Sequence, residues 1–165
     1  MASSAVTLLA PAKLNLFLHV LGRRQDGYHN IQTLFQLIDL ADELRIETTH
    51  SAEIFRYGDH YGVTQADDLV VKAATLLQES TGTREGARIE VRKNIPLGAG
   101  LGGGSSDAAA ALTGLNKLWC TGLSLPELAQ LALELGADVP VFIYGRSALG
   151  AGIGERLEFV NLGER

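Results

Sequence analysis

Five glycines occupy the seven positions from Gly98 to Gly104, and Ser105 and Ser106 follow them directly in the run NIPLGAGLGGGSSDAAA, Asn94 to Ala110. A loop without side chains can fold its backbone N–H groups around an anion, and the N–H groups and positive dipole end of a following helix add to that attraction. Phosphate suits such a loop, and Pro96, Leu97, Ala99 and Leu101 complete the segment that would form the cradle. Three other places carry polar groups in telling positions. Lys13 precedes Asn15 by two residues in an apolar run, so both side chains share one face of a strand. Asp138 lies between Gly136 and Val139-Pro140, at a turn or helix start where an N-cap would contribute about 1 kcal/mol. Tyr28 and His29 follow a polar turn, where they either pack at a strand end or sandwich and edge-read a base.

The loop differs from better-known glycine loops. Gly98, Gly100 and Gly103 fit G-x-G-x-x-G, but they lie far into the chain, and no clear strand-end acid follows about twenty residues on to hold a ribose. No Gly-Lys-Ser/Thr closes the run as in a Walker A loop. A nucleotide held here must therefore draw its cation from elsewhere.

The elements that position these residues read as strands first, then strands mixed with helices. Val6 to Ala10 and Ala12 to Leu21 are expected as strands separated at Pro11 by a proline-marked kink or edge break, with a polar turn from Arg23 to Gly27. Tyr28 to Leu40, Glu43 to Thr48, Ile54 to Tyr57 and Ala87 to Lys93 are further strand segments. Asp67 or Asp68 can cap a helix to about Gln78, a second helix should run from Ser105 to Trp119, and Ser124 with Glu127 signals a third through Leu135. Ser147 to Val160 reads as paired strands. The order gives an α+β domain.

The chain's 165 residues, 46% hydrophobic and 20% charged, allow one sizeable core. A formal charge of −5 with only 14 Lys plus Arg argues against nucleic acid as a partner. The single cysteine, Cys120, excludes a disulfide framework and fits a reducing compartment. No run approaches the length of a membrane span and the first residues lack a secretion signal, so a cytoplasmic protein with no membrane partner is expected. His19, His29, His50 and His60 are scattered and do not suggest a metal site.

Four segments together resemble the galactokinase, homoserine kinase, mevalonate kinase and phosphomevalonate kinase (GHMP) superfamily: PAKLNLFLH (Pro11 to His19), GRRQDGYH (Gly22 to His29), PLGAGLGGGSS (Pro96 to Ser106) and GADVPVF (Gly136 to Phe142). They are most similar to the branch acting on 4-diphosphocytidyl-2-C-methyl-D-erythritol, a CDP-linked methylerythritol of the non-mevalonate route to isoprenoid precursors. The resemblance implies the superfamily's N-terminal α+β fold, related to a domain of ribosomal proteins, over residues 1–165, with the family's C-terminal domain outside this sequence. It implies ATP and Mg²⁺ as cofactors and phosphorylation of a substrate hydroxyl.

The same resemblance assigns roles. Asp138 would be the catalytic base, and Lys13 would face it and polarise the attacking hydroxyl. Asn15 would hold the substrate, Tyr28 would stack on its cytosine, His29 would read the base edge and Phe35 would add to the apolar wall, although core alternation explains Phe35 nearly as well. Asp68 would meet the adenine amino group, and Lys93 would lie over the nucleotide as a lid. Ser105 and Ser106 carry the hydroxyls nearest to a Mg²⁺, and neither is assigned to it; Asp107 would repel phosphate unless turned away or bridged. A nucleotide- or phosphate-binding domain without catalysis is the alternative, and an RNA-binding module is disfavoured by the acidic composition.

Overall fold

The computed structural model describes residues 4–58 and 61–162. A six-stranded sheet is built around two long strands, β1 (Ala5–Arg23) and β2 (His29–Thr49), paired antiparallel along nearly their whole length. The opposite edge of β2 pairs with β4 (Gly86–Arg92) in its second half and with β5 (Ala148–Gly152) in its first half. Strand β3 (Ile54–Tyr57) extends the sheet in parallel beside β4, and β6 (Arg156–Phe159) extends it antiparallel beside β5. The result is the expected α+β architecture.

The kink or edge break expected at Pro11 and the gap expected between Leu40 and Glu43 are one bulge, and both strands run through it. Pro11 pairs with Ala41 while Ala12 pairs with Ile38, so β2 loops out Asp39 and Leu40 without ending. Proline is tolerated because β1 is an edge strand, whose outward N–H positions need no partner. The irregularity has a consequence for chemistry. Buried positions on β2 change from odd (Thr33, Phe35) to even (Asp42, Leu44, Ile46) across it.

The described residues also form the helices α1 (Leu69–Thr81), α2 (Gly103–Leu118), α3 (Leu125–Leu135) and the short α4 (Val139–Tyr144). Asp68 caps α1 by accepting from the Val70 N–H at 2.9 Å. Glu127 closes the α3 capping box by accepting from the Ser124 hydroxyl at 2.6 Å and the Ser124 N–H at 2.8 Å, and these bonds, the hydroxyl's first, hold its carboxyl below the usual range. Helix α2 is the centre of the core. Ala108, Ala109, Ala110 and Ala111 are all buried, and a Cβ at Gly114 would lie 2.6 Å from Leu8 and 2.8 Å from Ile46. Small residues thus let α2 lie close on β1 and β2, which fixes where its N-terminus points.

On the other sheet face, Glu43 pairs with Arg92, Arg45 with Glu90 and Glu47 with Arg88. Opposite charges directly across strands suit a face turned to water.

Candidate active site

The glycine loop leads into α2 with left-handed backbone at every second residue: φ is +69° at Gly98, +73° at Gly100 and +72° at Gly102. Alternation of this kind turns successive N–H groups toward one concavity, and only glycine adopts it without strain. Gly102 is the N-cap of α2 and provides no side-chain cap, and no acidic residue lies in the first turn. The first-turn N–H groups are therefore left to solvent or an anion. Pro96 through Ser105 line a cavity of about 250 Å³ over this point.

An apolar slot of about 230 Å³ joins the cradle through shared lining residues Leu69, Lys93, Leu97 and Gly104, with Val63 and Val70 among its other walls. A cradle for phosphates continuous with an apolar slot matches a nucleotide's two ends. The structure revises the contacts expected of Asp68 with the adenine amino group and of Lys93 as a lid. Asp68 is buried, with one carboxylate oxygen capping α1 and the other bonded to Arg56, so it shapes the slot's wall. Lys93 lies in the floor and is not a lid: its ammonium is paired with Asp42 and, at 2.8 Å, with Asp107.

Asp42 is the residue that sequence reasoning missed. It is fully buried on β2, pairs with Lys93, and accepts from the backbone N–H groups of Asn94 at 2.5 Å and Ile95 at 2.8 Å. It thereby fixes the entrance to the glycine loop from across the sheet. The available signal was an aspartate placed where the apolar alternation of β2 shifts phase.

On the other side of the loop, Asp138 Oδ2 lies 3.2 Å from Lys13 Nζ. Asp138 occupies the N-cap position of α4 yet makes no side-chain cap bond, so its carboxylate faces the lysine. Lys13 is tied to the loop in two ways. Its backbone N–H donates to Leu101 O at 2.9 Å, and its Cε would lie 3.2 Å from a Cβ at Gly102. Its ammonium also donates to Asn15 Oδ1 and sits 5.6 Å from the Phe35 ring centroid. The Asn15 amide donates to Thr33 Oγ1 at 2.8 Å, and Thr33 donates to the Phe17 carbonyl at 2.7 Å. Asn15 thus orients Lys13 and retains one N–H and one lone pair for a ligand.

Two further expectations need correction. Phe35 has no exposed surface, so it packs beneath Lys13 and cannot line a cytosine pocket. Ser106 is buried, its Oγ has no hydrogen-bond partner among the described residues and it does not line the cavity, whereas Ser105 does. Tyr28 and His29 stand exposed at the tip of the β1–β2 hairpin. The turn is set by Asp26, which pairs with Arg24 at 2.8 Å and accepts from the Tyr28 N–H at 3.1 Å; the Arg24 contact above all holds its carboxyl below the usual range. Among the described residues, which exclude His60, no three His, Cys, Asp or Glu gather as a cation cage.

This arrangement defines a class. The GHMP kinases N terminal domain family matches residues 68–146. A mevalonate kinase structure from Methanococcus jannaschii superposes with a TM-score of 0.72 at 16% identity, covering 96% of this chain and 56% of that one, a likeness of fold alone. Much nearer is a crystal structure of 4-(cytidine 5'-diphospho)-2C-methyl-D-erythritol kinase, with a TM-score of 0.83 and 46% identity over 96% of this chain and 56% of that one. The 4-diphosphocytidyl-2-C-methyl-D-erythritol kinase of Bordetella parapertussis is 61% identical over 153 residues, 93% of this chain and 51% of that protein. Its counterpart from Pseudoalteromonas translucida is 53% identical over 162 residues, 98% and 57% respectively. The chain belongs to the 4-diphosphocytidyl-2-C-methyl-D-erythritol kinase family of the GHMP kinases and corresponds to their N-terminal domain. It spans about half the length of the curated relatives it matches.

Proposed function

We propose that this chain supplies the nucleotide cradle and the proton-accepting pair for ATP-dependent phosphorylation of 4-diphosphocytidyl-2-C-methyl-D-erythritol, in the cytoplasm. The observation that carries the reading is the Lys13–Asp138 pair, 3.2 Å apart and tied through Leu101 and Gly102 to a loop built for phosphate. In this reading the glycine loop and the α2 N-terminus hold the nucleotide's phosphates, and the apolar slot takes its base. Mg²⁺ bound to the nucleotide neutralises phosphate charge.

The chemistry then needs alignment and a proton acceptor. The substrate hydroxyl oxygen attacks the γ-phosphorus, the bond from that phosphorus to the β–γ bridging oxygen breaks, and ADP leaves. The hydroxyl proton passes to Asp138. Lys13 stabilises the charge on the attacking oxygen, while Asn15 and Thr33 hold its ammonium in place. Tyr28 stacks on the cytosine and His29 reads its edge, far along the hairpin from the reacting hydroxyl.

The chain's length, about half that of its relatives, favours a second reading: a nucleotide-binding domain that is not catalytic alone. Both readings are tested by incubating the 165-residue chain, and the chain extended to its relatives' length, with MgATP and the cytidyl substrate. ADP and singly phosphorylated product from the extended chain is the expected result. Nucleotide binding without product from either polypeptide would leave only the second reading.

A further inference from the structure

Beneath the cradle lies a cluster to which the proposed phosphoryl-transfer step assigns no role. Lys93, just past the end of β4, is an ammonium shared by two buried carboxylates, Asp42 from β2 and Asp107 from α2. The two acids are not equivalent. Asp42 accepts two backbone N–H bonds, from Asn94 and Ile95, besides its contact with Lys93. Asp107 has the Lys93 contact on Oδ2 at 2.8 Å, while its buried Oδ1 has no hydrogen-bond partner. Burial pushes its carboxyl up to about 7 against the pull of Lys93, and the Asp42 charge adds to the rise. The remaining charged groups around the slot are the bonded Arg56–Asp68 pair from β3 and the start of α1, together with Asp67; Tyr61 is its other titratable neighbour.

The cluster touches the cradle. A Cβ at Gly103 would lie 3.2 Å from Lys93 Nζ, so the ammonium sits directly under the first residue of α2. Asp107 borders the slot beside Gly104, which gives it a route to solvent protons. A polyphosphate in the loop brings several negative charges to this spot. It repels the Asp107 carboxylate and draws Lys93 toward itself, and both effects favour the protonated acid.

We propose that Lys93, Asp42 and Asp107 form a proton-coupled brace of the cradle, in which Asp107 takes up a proton from solvent when a nucleotide polyphosphate occupies the glycine loop. The inference rests on the nucleotide-binding part of the proposed function. It makes Asp107 a positioning residue whose protonation links nucleotide affinity to pH. The cradle binds its ligand more weakly as pH rises above neutrality, because the proton must then be drawn from a scarcer supply.

Calorimetry tests the coupling with the magnesium complex of β,γ-imido-ATP, titrated into the chain at pH 7 in buffers of different ionisation enthalpy. The parent should take up about one half proton per nucleotide more than Asp107→Asn, a difference that cancels the ligand's own protonation. Binding heats with equal proton uptake in the two proteins would overturn the brace and leave the nucleotide site standing. Absence of binding by both would overturn the nucleotide site and the brace together. Carbon-13 carboxyl shifts of the ligand-free parent give a readout independent of any variant: one aspartate should titrate near neutrality, and titration of every aspartate below about pH 5 would also overturn the proposal.

Discussion

The side chain of Lys13 passes against the backbone of Gly102, so closely that a Cβ there would lie 3.2 Å from Lys13 Cε. The same Cβ would meet Phe142 Cζ at 2.9 Å, and Gly102 holds φ at +72°. The phosphate loop, the lysine and α4 are therefore packed as one unit, with no room for a side chain between them.

Gly102→Ala should strain the backbone and displace Lys13 from Asp138 at once. Gly100→Ala is the control, because its Cβ meets nothing within 4 Å and carries only the strain of φ +73°. That strain costs roughly 1 to 2 kcal/mol. Denaturant unfolding should rank Gly102→Ala as the less stable of the two, while Gly100→Ala, whose methyl projects toward ligand space, should still weaken nucleotide binding. Equal stability of the two variants would contradict the packing at Gly102.

Much of this site was legible because glycine spacing and an i, i+2 pair are local signals. The loop, the Lys13–Asn15 face and the caps at Asp68 and Ser124 all fall in this class. Asp42 was not legible, since its partners Lys93, Asn94 and Ile95 lie some fifty residues on and meet it only after a bulge shifts the phase of β2. The same shift hid the continuity of β1 through Pro11. Phe35 and Lys93 were misjudged for a related reason: alternation says which face a residue takes, but not whether a neighbouring element covers that face.

Tyr28 is 57% exposed, so its truncation should leave stability nearly unchanged. Tyr28→Ala should weaken binding of a cytidine diphosphate ligand by roughly 1 to 3 kcal/mol, the value of one lost stacking face. Nucleotide affinity at the glycine loop should stay within error in the same calorimetric series. Equal losses of both ligands would place the cytosine elsewhere.

Asp107 also makes stability depend on pH. Its carboxyl holds a proton more tightly in the folded chain than at the ordinary value of 3.8, titrating near 7. Its contribution is therefore fully present below 3.8 and is lost as pH rises to about 7, with no further change above. Asp107→Asn removes that loss. The melting temperature of the variant relative to the parent should climb across this window by at least about 3 °C, the equivalent of roughly 1 kcal/mol. A constant difference from pH 4 to 7 would mean that Asp107 ionises normally.

The most direct test of the catalytic pair is a rapid-quench single turnover of Asp138→Asn in the chain extended to its relatives' length, saturated with MgATP and 4-diphosphocytidyl-2-C-methyl-D-erythritol. Asparagine keeps the shape beside Lys13 and removes the proton acceptor. Phosphoryl transfer should fall by about 10² to 10⁴-fold while both ligands still bind. Product formed at near the parental rate would contradict the assignment and leave Asp138 as the structural partner of Lys13.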